Sequence, residues 1–176
     1  MHETIDELDE LQDLLDASFE RASAHLLSIM EPPRRVAADR LVAELPTPAV
    51  LNIATVTARG EPRISAVDGH FRHGHWYFTT AGDSPKARQL AARPAISASY
   101  TPRDGFGVFA HGRAVRLDGD ERDALREHFI AHYGSDPDTW GSDIGYYRID
   151  ADWLVAFAMT DEEQAQIDAA REARSP

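Results

Sequence analysis

WYFTTAGDSPKARQL, residues 76–90, changes its period half-way. Trp76 to Thr80 is aromatic and β-branched, the composition of a strand lying on a core. Gly82 and Asp83 turn the chain. Ser84 is a good N-cap and Pro85 suits a first helical position, so the spacing predicts a helix over 84–93. Strand end and helix start place the hydroxyls of Thr79, Thr80 and Ser84 near the free N–H groups of a first turn, where the helix dipole favours an anion. Lys86 adds a full positive charge, and it is the only lysine in the 176-residue chain. The group suits one phosphate. It equally suits ordinary helix capping, and spacing alone does not separate the two readings.

Outward from this stretch the period of two dominates. VLNIATVTA (50–58) is nearly all apolar or β-branched, which predicts a strand buried on both faces. RGEP turns into a second strand over 62–70, and RHG at 72–74 turns into the third. AISASY (95–100) and GFGVFAHGRAVRL (105–117) predict a fourth and a fifth. Residues 119–134 predict a helix with Leu125, Phe129 and Tyr133 on one side. Tyr147, Ile149, Ala151, Trp153, Val155, Phe157 and Met159 then alternate strictly and predict the last strand. Thr160 and Glu163 form a capping box that opens a C-terminal helix. Upstream, Ile5, Leu8, Leu11, Leu15, Phe19, Ala22, Leu26 and Ile29 predict one helix over 3–30, stopped by Pro32 and Pro33, with a shorter helix over 34–45. Such a helix buries its stripe on its own domain or on a partner subunit.

The fold expected is mainly β with flanking helices: a small six-stranded antiparallel barrel with a long N-terminal helix and a C-terminal helix. Its organisation reads as an N-terminal helical segment (1–46), a barrel domain (47–160) and a C-terminal helix (161–176).

Composition excludes several functions. The chain has no cysteine, so disulfides, thiolate catalysis and Cys-based zinc sites are ruled out, which fits a cytoplasmic protein. The N-terminus MHETIDELDEL is acidic, unlike a signal peptide, and no apolar run approaches a membrane span. The net charge of −12 is concentrated at the ends: nine acids against one arginine in residues 1–31, five against two in 159–176, sixteen against fifteen basic groups between. No basic stripe tracks a phosphate backbone, so neither nucleic acid nor membrane is an expected partner. His70, His73 and His75 surround one turn, and His128 and His132 stand four apart on a helix. HFIAH lacks the glutamate of HExxH and shows no third ligand, so no metal is assigned.

LNIATVTARGEPRISAV (51–67), HGHWYFTTAGDSPKARQLAARPAISASY (73–100) and VFAHGRAVRL (108–117) together resemble the FMN-binding split β-barrel superfamily, which contains pyridoxamine 5′-phosphate oxidase relatives and flavin- or deazaflavin-dependent oxidoreductases. The match covers about residues 48–118, and the last strand also fits. The resemblance implies that the mainly β fold is a six-stranded antiparallel split barrel, with 47–160 as a split-barrel cofactor-binding domain, and a homodimer with FMN or F420 in an interface groove. It implies Ser84 and Lys86 as phosphate ligands, with Thr79 and Thr80 along the phosphate and ribityl end. Arg63 would face the phosphate, and the strand from Ser65 through Ala66 and Val67 to Asp68 would run along the ring system. Some relatives bind haem through a histidine, which extends that option to the 70–75 cluster. The reaction implied is hydride transfer between FMN or F420 and a small organic substrate. A non-catalytic protein that binds or shuttles F420 or haem is the alternative.

The chain also departs from the pattern. Pro85 stands where relatives often place an arginine before the helix lysine, and Asp68 where the vitamin oxidases carry a lysine. The end DEEQAQIDAAREARSP lacks their basic, tryptophan-containing grip on pyridoxal phosphate. These differences speak against the pyridoxine-pathway activity. F420 also carries an acidic tail, for which Arg34, Arg35, Arg40 and Arg88 are candidates. Phe71, Trp76, Phe106 and Tyr147 read more readily as core than as substrate walls.

Overall fold

The computed structural model describes residues 3–172, so the outermost residues of both predicted end segments lie outside it. Six strands close an antiparallel barrel in the order β1-β2-β3-β6-β5-β4. They are β1 (Ala49–Val56), β2 (Pro62–Arg72), β3 (His75–Ala81), β4 (Ala95–Arg103), β5 (Phe106–Arg116) and β6 (Ile144–Ala158). The helices are α1 (Ile5–Glu20), α2 (Ala24–Ile29), α3 (Ala38–Glu44), α4 (Pro85–Ala92), α5 (Gly119–Tyr133) and α6 (Asp161–Glu172), with 3-10 turns at Pro32–Arg34 and Pro137–Thr139. The split barrel with helices at both ends is therefore present, and the Thr160–Glu163 capping box that opens α6 is formed.

Strand period delivers the core. Leu51 and Ile53 of β1, Trp76 and Phe78 of β3, Val108 and Ala110 of β5, and Ile149 of β6 meet inside the barrel. The four aromatics weighed as walls, Phe71, Trp76, Phe106 and Tyr147, are all buried in that core. β1 departs from expectation. Its burial alternates, and Val50 is 65% exposed, so one face only is covered within this chain. β6 departs in another way. Its register with β5 shifts between His111 and Gly112, so Asp152 is an extra residue. Tyr147 and Ile149 point inward before the bulge, but Leu154, Ala156 and Ala158 do so after it. Trp153, Val155 and Phe157 are thereby turned outward, where Val155 packs with Phe19 and Met30. Gly112 sits opposite the bulge, where an added Cβ would lie 2.1 Å from the Asp150 carbonyl oxygen.

The barrel is split in two places. β3 pairs with β6 only as far as Ile149, leaving the far half of β6 with a free edge. The N-terminal segment covers that edge. The Ser18 hydroxyl accepts from Leu154 N–H at 2.9 Å, and Arg21 donates to the Asp152 carbonyl at 2.6 Å. Val36 N–H donates to the Ala156 carbonyl at 3.1 Å. These contacts explain two differences from the expected helices. The predicted 3–30 helix breaks around Arg21, and Ser23 caps a new start at α2. The predicted 34–45 helix shrinks to α3, because residues 35 and 36 are extended to pair with β6. The apolar stripe of α1 is covered within its own chain except at its start, since Leu11 and Leu15 join the barrel core and Leu8 packs against it while Ile5 stays exposed.

The second split lies between β2 and β3. They pair only at His70–Tyr77, Phe71–Trp76 and Arg72–His75, beside a two-residue turn in which His73 and Gly74 both have positive φ. Beyond that hairpin end the strands diverge. Residues 62–69 of β2 are paired to β1 alone, and residues 78–81 of β3 to β6 alone.

Candidate functional site

The crevice between the diverging strands has β2 backbone on one side and the end of β3 on the other. The β3 chain continues through the Gly82–Asp83 turn into α4. Ser84 caps that helix as its residue type requires: its hydroxyl accepts from Ala87 N–H at 3.1 Å. The same hydroxyl lies 3.1 Å from the Thr80 hydroxyl. Lys86 follows in the first turn, half-buried, and forms no ion pair with any described residue. α4 is tied back to β1, since the Thr55 hydroxyl bonds the Gln89 side chain at 2.5 Å and Arg93 donates to the Val56 carbonyl at 3.0 Å. Thr55 is buried and is the register partner of Arg63, so α4 bridges the mouth of the barrel beside the start of β2.

The residues expected at the site are therefore distributed unevenly. Thr80, Ser84 and Lys86 come together at the helix start. Strand alternation places Thr80 on the inner face with Phe78, and Thr79 on the opposite face. Arg63, Ser65 and Val67 share the inner face of β2, while Ala66 faces outward. Arg63 is not free in this state. It is paired with Glu61 at 2.9 Å, at the same turn where Glu61 meets Arg59 at 3.2 Å. Both pairs are exposed, so a phosphate competes with a weak interaction. The arginines suggested for an acidic tail are engaged too. Arg34 pairs with Glu163, Arg40 with Glu44 at 2.6 Å, Arg35 donates to the Met30 carbonyl at 3.1 Å, and Arg88 donates to the Asp83 carbonyl.

A separate apolar groove of about 180 Å³ runs over the outer face of the sheet, lined by Asn52, Ala54, Ile64, Ser97, Phe109 and His111 among others. None of Arg63, Ser65, Thr80, Ser84 or Lys86 lines it.

The histidines are arranged as sequence spacing did not foretell. The cluster around the turn separates. His73 bonds Glu7 of α1 at 3.0 Å, and His75 bonds the Ile149 carbonyl at 3.3 Å. His70 points outward from β2 and is fully buried under α5. There its Nδ1 lies 3.0 Å from His128 Nε2 and its Nε2 lies 2.9 Å from the Tyr133 hydroxyl. Burial, then the neighbouring His128 and His132, hold the His70 imidazole neutral, with its pKa pushed down to about 3. Two signals in the sequence pointed here: the period of β2 puts His70 on the face opposite Val67, and His128 and His132 flank the Leu125–Phe129–Tyr133 stripe. Among the described residues, no group of three or more His, Asp or Glu is placed to hold a metal ion, and no helix is long and apolar enough to cross a membrane.

Comparison with known proteins places this geometry in context. The family model described as pyridoxamine 5′-phosphate oxidase matches residues 37–158. A pyridoxine/pyridoxamine 5′-phosphate oxidase from Alcanivorax borkumensis is 33% identical over 99 residues, covering 54% of this chain and 46% of that protein. The chain spans about half the length of the curated relatives it matches. An FAD-binding protein from Mesorhizobium loti has the same fold, with a TM-score of 0.57 at 19% identity over 72% of this chain and 97% of that one. A structure named F420 reductase gives a TM-score of 0.53 at 20% identity, over 64% of this chain and 93% of that one. The matched segment begins at the extended residues before α3, takes in every strand and the Ser84 helix start, and ends at the last residue of β6; the chain belongs to the pyridoxamine 5′-phosphate oxidase family.

Proposed function

We propose that this chain binds a flavin-type cofactor, FMN or the deazaflavin F420, and transfers hydride between it and a small organic molecule. The supporting observation is the crevice itself. Among the described residues, a run of β2 backbone with no paired strand on one edge lies across from a capped helix start that carries Lys86 without a counter-charge. The α4 N-terminus, the Ser84 and Thr80 hydroxyls and Lys86 would hold the cofactor phosphate. Arg63 would join them by leaving Glu61. Peptide N–H groups on the open edge of β2 between Arg63 and Gly69 would donate to the ring system and fix its orientation. When bound, such a cofactor supplies the hydride chemistry itself, and the protein supplies position and a dry surface.

The names of the structural relatives given above support a flavin or deazaflavin. A haem-binding imidazole needs a free nitrogen, and both nitrogens of His70 are occupied, so within the 70–75 cluster haem would fall to His73 or His75, each engaged through Nδ1. We also propose that two copies complete the site, since the crevice is open on one side within a single chain.

Native mass spectrometry of freshly purified protein tests the reading. The expected species is a dimer retaining the mass of FMN or F420. Reoxidation of the reduced, bound cofactor by an added organic acceptor would support an enzyme. Retention without turnover for any acceptor class would support the binding or shuttling role. A protein that retains neither cofactor, and binds neither on titration, would refute both.

A further inference from the structure

Outside the crevice, four polar groups form a chain between α5 and the outer face of β2. The Tyr133 hydroxyl donates to Asp68 at 3.2 Å, because an ionised carboxylate only accepts. Its oxygen can then accept from His70 Nε2–H. Neutral His70 is left with an acceptor at Nδ1, and His128 Nε2–H supplies the donor. Every hydrogen bond thus runs toward Asp68. Phe129 covers the His70 ring edge-on at 4.6 Å, and Trp140 packs on Tyr133 at 5.1 Å. α5 is otherwise held by a satellite cluster of Tyr77, Leu117, Leu125, Phe129 and Tyr146, separate from the barrel core, and by the ion pair of Glu121 with Arg148 of β6.

We propose that this relay is a proton-operated latch, which fastens the C-terminal turn of α5 to β2 at neutral pH and is undone by proton uptake at the buried His70. A second proton on His70 can go only to Nδ1. There it would face the His128 N–H at 3.0 Å, so His128 must either turn away or shift its own proton to Nδ1 and accept. The new charge would be fully buried. The groups facing it are Arg72 on the same strand, Tyr77 across on β3, and His128, His132 and Tyr133 on α5. Arg72 and the other histidines oppose the charge, and Asp68 is reached only through Tyr133. Release relieves all of this, since His132 is already exposed and Gly134, with φ of 68°, ends the helix at the point that would move.

The sign follows from linkage. The docked state binds fewer protons than a released state in which His70 titrates near its ordinary value of 6.5. Docking is therefore fully supported above pH 6.5, and release grows by up to tenfold per pH unit for each proton taken up as pH falls toward 3. The inference is independent of which cofactor the chain carries.

Incorporating 5-fluorotryptophan gives three fluorine resonances, one for each of Trp76, Trp140 and Trp153. In the full chain the Trp140 resonance is expected to move between pH 6.5 and 3 while that of buried Trp76 stays put. His70→Asn, which cannot become charged, should abolish the movement. Nitrogen-15 spectra of the wild-type imidazoles provide a second measurement should that variant fold poorly: His70 should become charged in the same transition that moves Trp140. A Trp140 resonance that never moves overturns the latch. So does one that moves unchanged in His70→Asn, or while His70 is still neutral, because Asp136 and Asp138 in their pairs with Arg122 and Arg126 would then be the titrating groups.

Discussion

Lys86 and Ser84 stand two residues apart and carry different loads. Lys86 makes no ion pair among the described residues, so folding gains little from its charge. If it holds a phosphate, Lys86→Ala removes one charge-assisted hydrogen bond worth about 1.5–3 kcal/mol. Affinity for FMN or F420 should then fall roughly tenfold to a hundredfold, with thermal stability of the cofactor-free protein unchanged. Ser84 caps α4 and touches Thr80. Ser84→Ala should cost about 1 kcal/mol of stability as well as some affinity. Fluorescence titration of both variants with each cofactor, alongside thermal melts, separates the roles. Undiminished affinity in Lys86→Ala would end the phosphate assignment. Two single-residue expectations were limited by strand geometry. Thr79 and Thr80 are adjacent in a strand, so they cannot share a face. Arg63 sits two residues from Glu61, whose attraction for it could be read from the sequence but whose geometry could not.

At the scale of elements, local signals were legible wherever one rule acted alone. The strand–turn–helix at 76–90, the Thr160 capping box and the amphipathic α5 follow from caps and period without help from the rest of the chain. What sequence concealed depends on neighbours. A period of two cannot show that Asp152 is an extra residue, because the residues on both sides of it are apolar in alternation. The break in the N-terminal helix is likewise set from outside, by the free edge of β6. Ser18 is the test of that account. It is fully buried, donates to the Leu14 carbonyl at 2.7 Å and accepts from Leu154 N–H. Ser18→Ala leaves that N–H unpaired, which should destabilise the protein by about 1–3 kcal/mol, offset slightly by the better helix propensity of alanine. Urea denaturation would measure it. A loss within about 0.5 kcal/mol, the scatter of surface substitutions, would mean the β6 edge finds another donor or water.

For the whole molecule, the unfinished feature is the outer face of β1, β2, β4 and β5. Val50 and Ile64 are 65% and 77% exposed there, beside the groove that reaches Phe109 and His111. β1 was expected to be buried on both faces, and the chain itself covers one. A second copy laid on this face would supply the other, which is the basis for proposing a homodimer. Light scattering at micromolar concentration should give twice the chain mass of 19.5 kDa, and Ile64→Glu should shift it toward the monomer. A wild-type monomer under those conditions would remove the dimer, and with it the shared cofactor site.

β6 has a further consequence, because the Asp152 bulge lets one strand serve every hydrophobic compartment. Ile149 and Leu154 belong to the barrel core, Tyr146 to the cluster beneath α5, and Val155 to the cluster with Phe19 and Met30. β6 cannot leave its place without opening all three. The strand is thus the thermodynamic keystone through which the clusters unfold as one cooperative unit. Its central amides should be among the last in the chain to exchange with deuterium, at a rate set by global unfolding, even under conditions where the end of α5 opens freely.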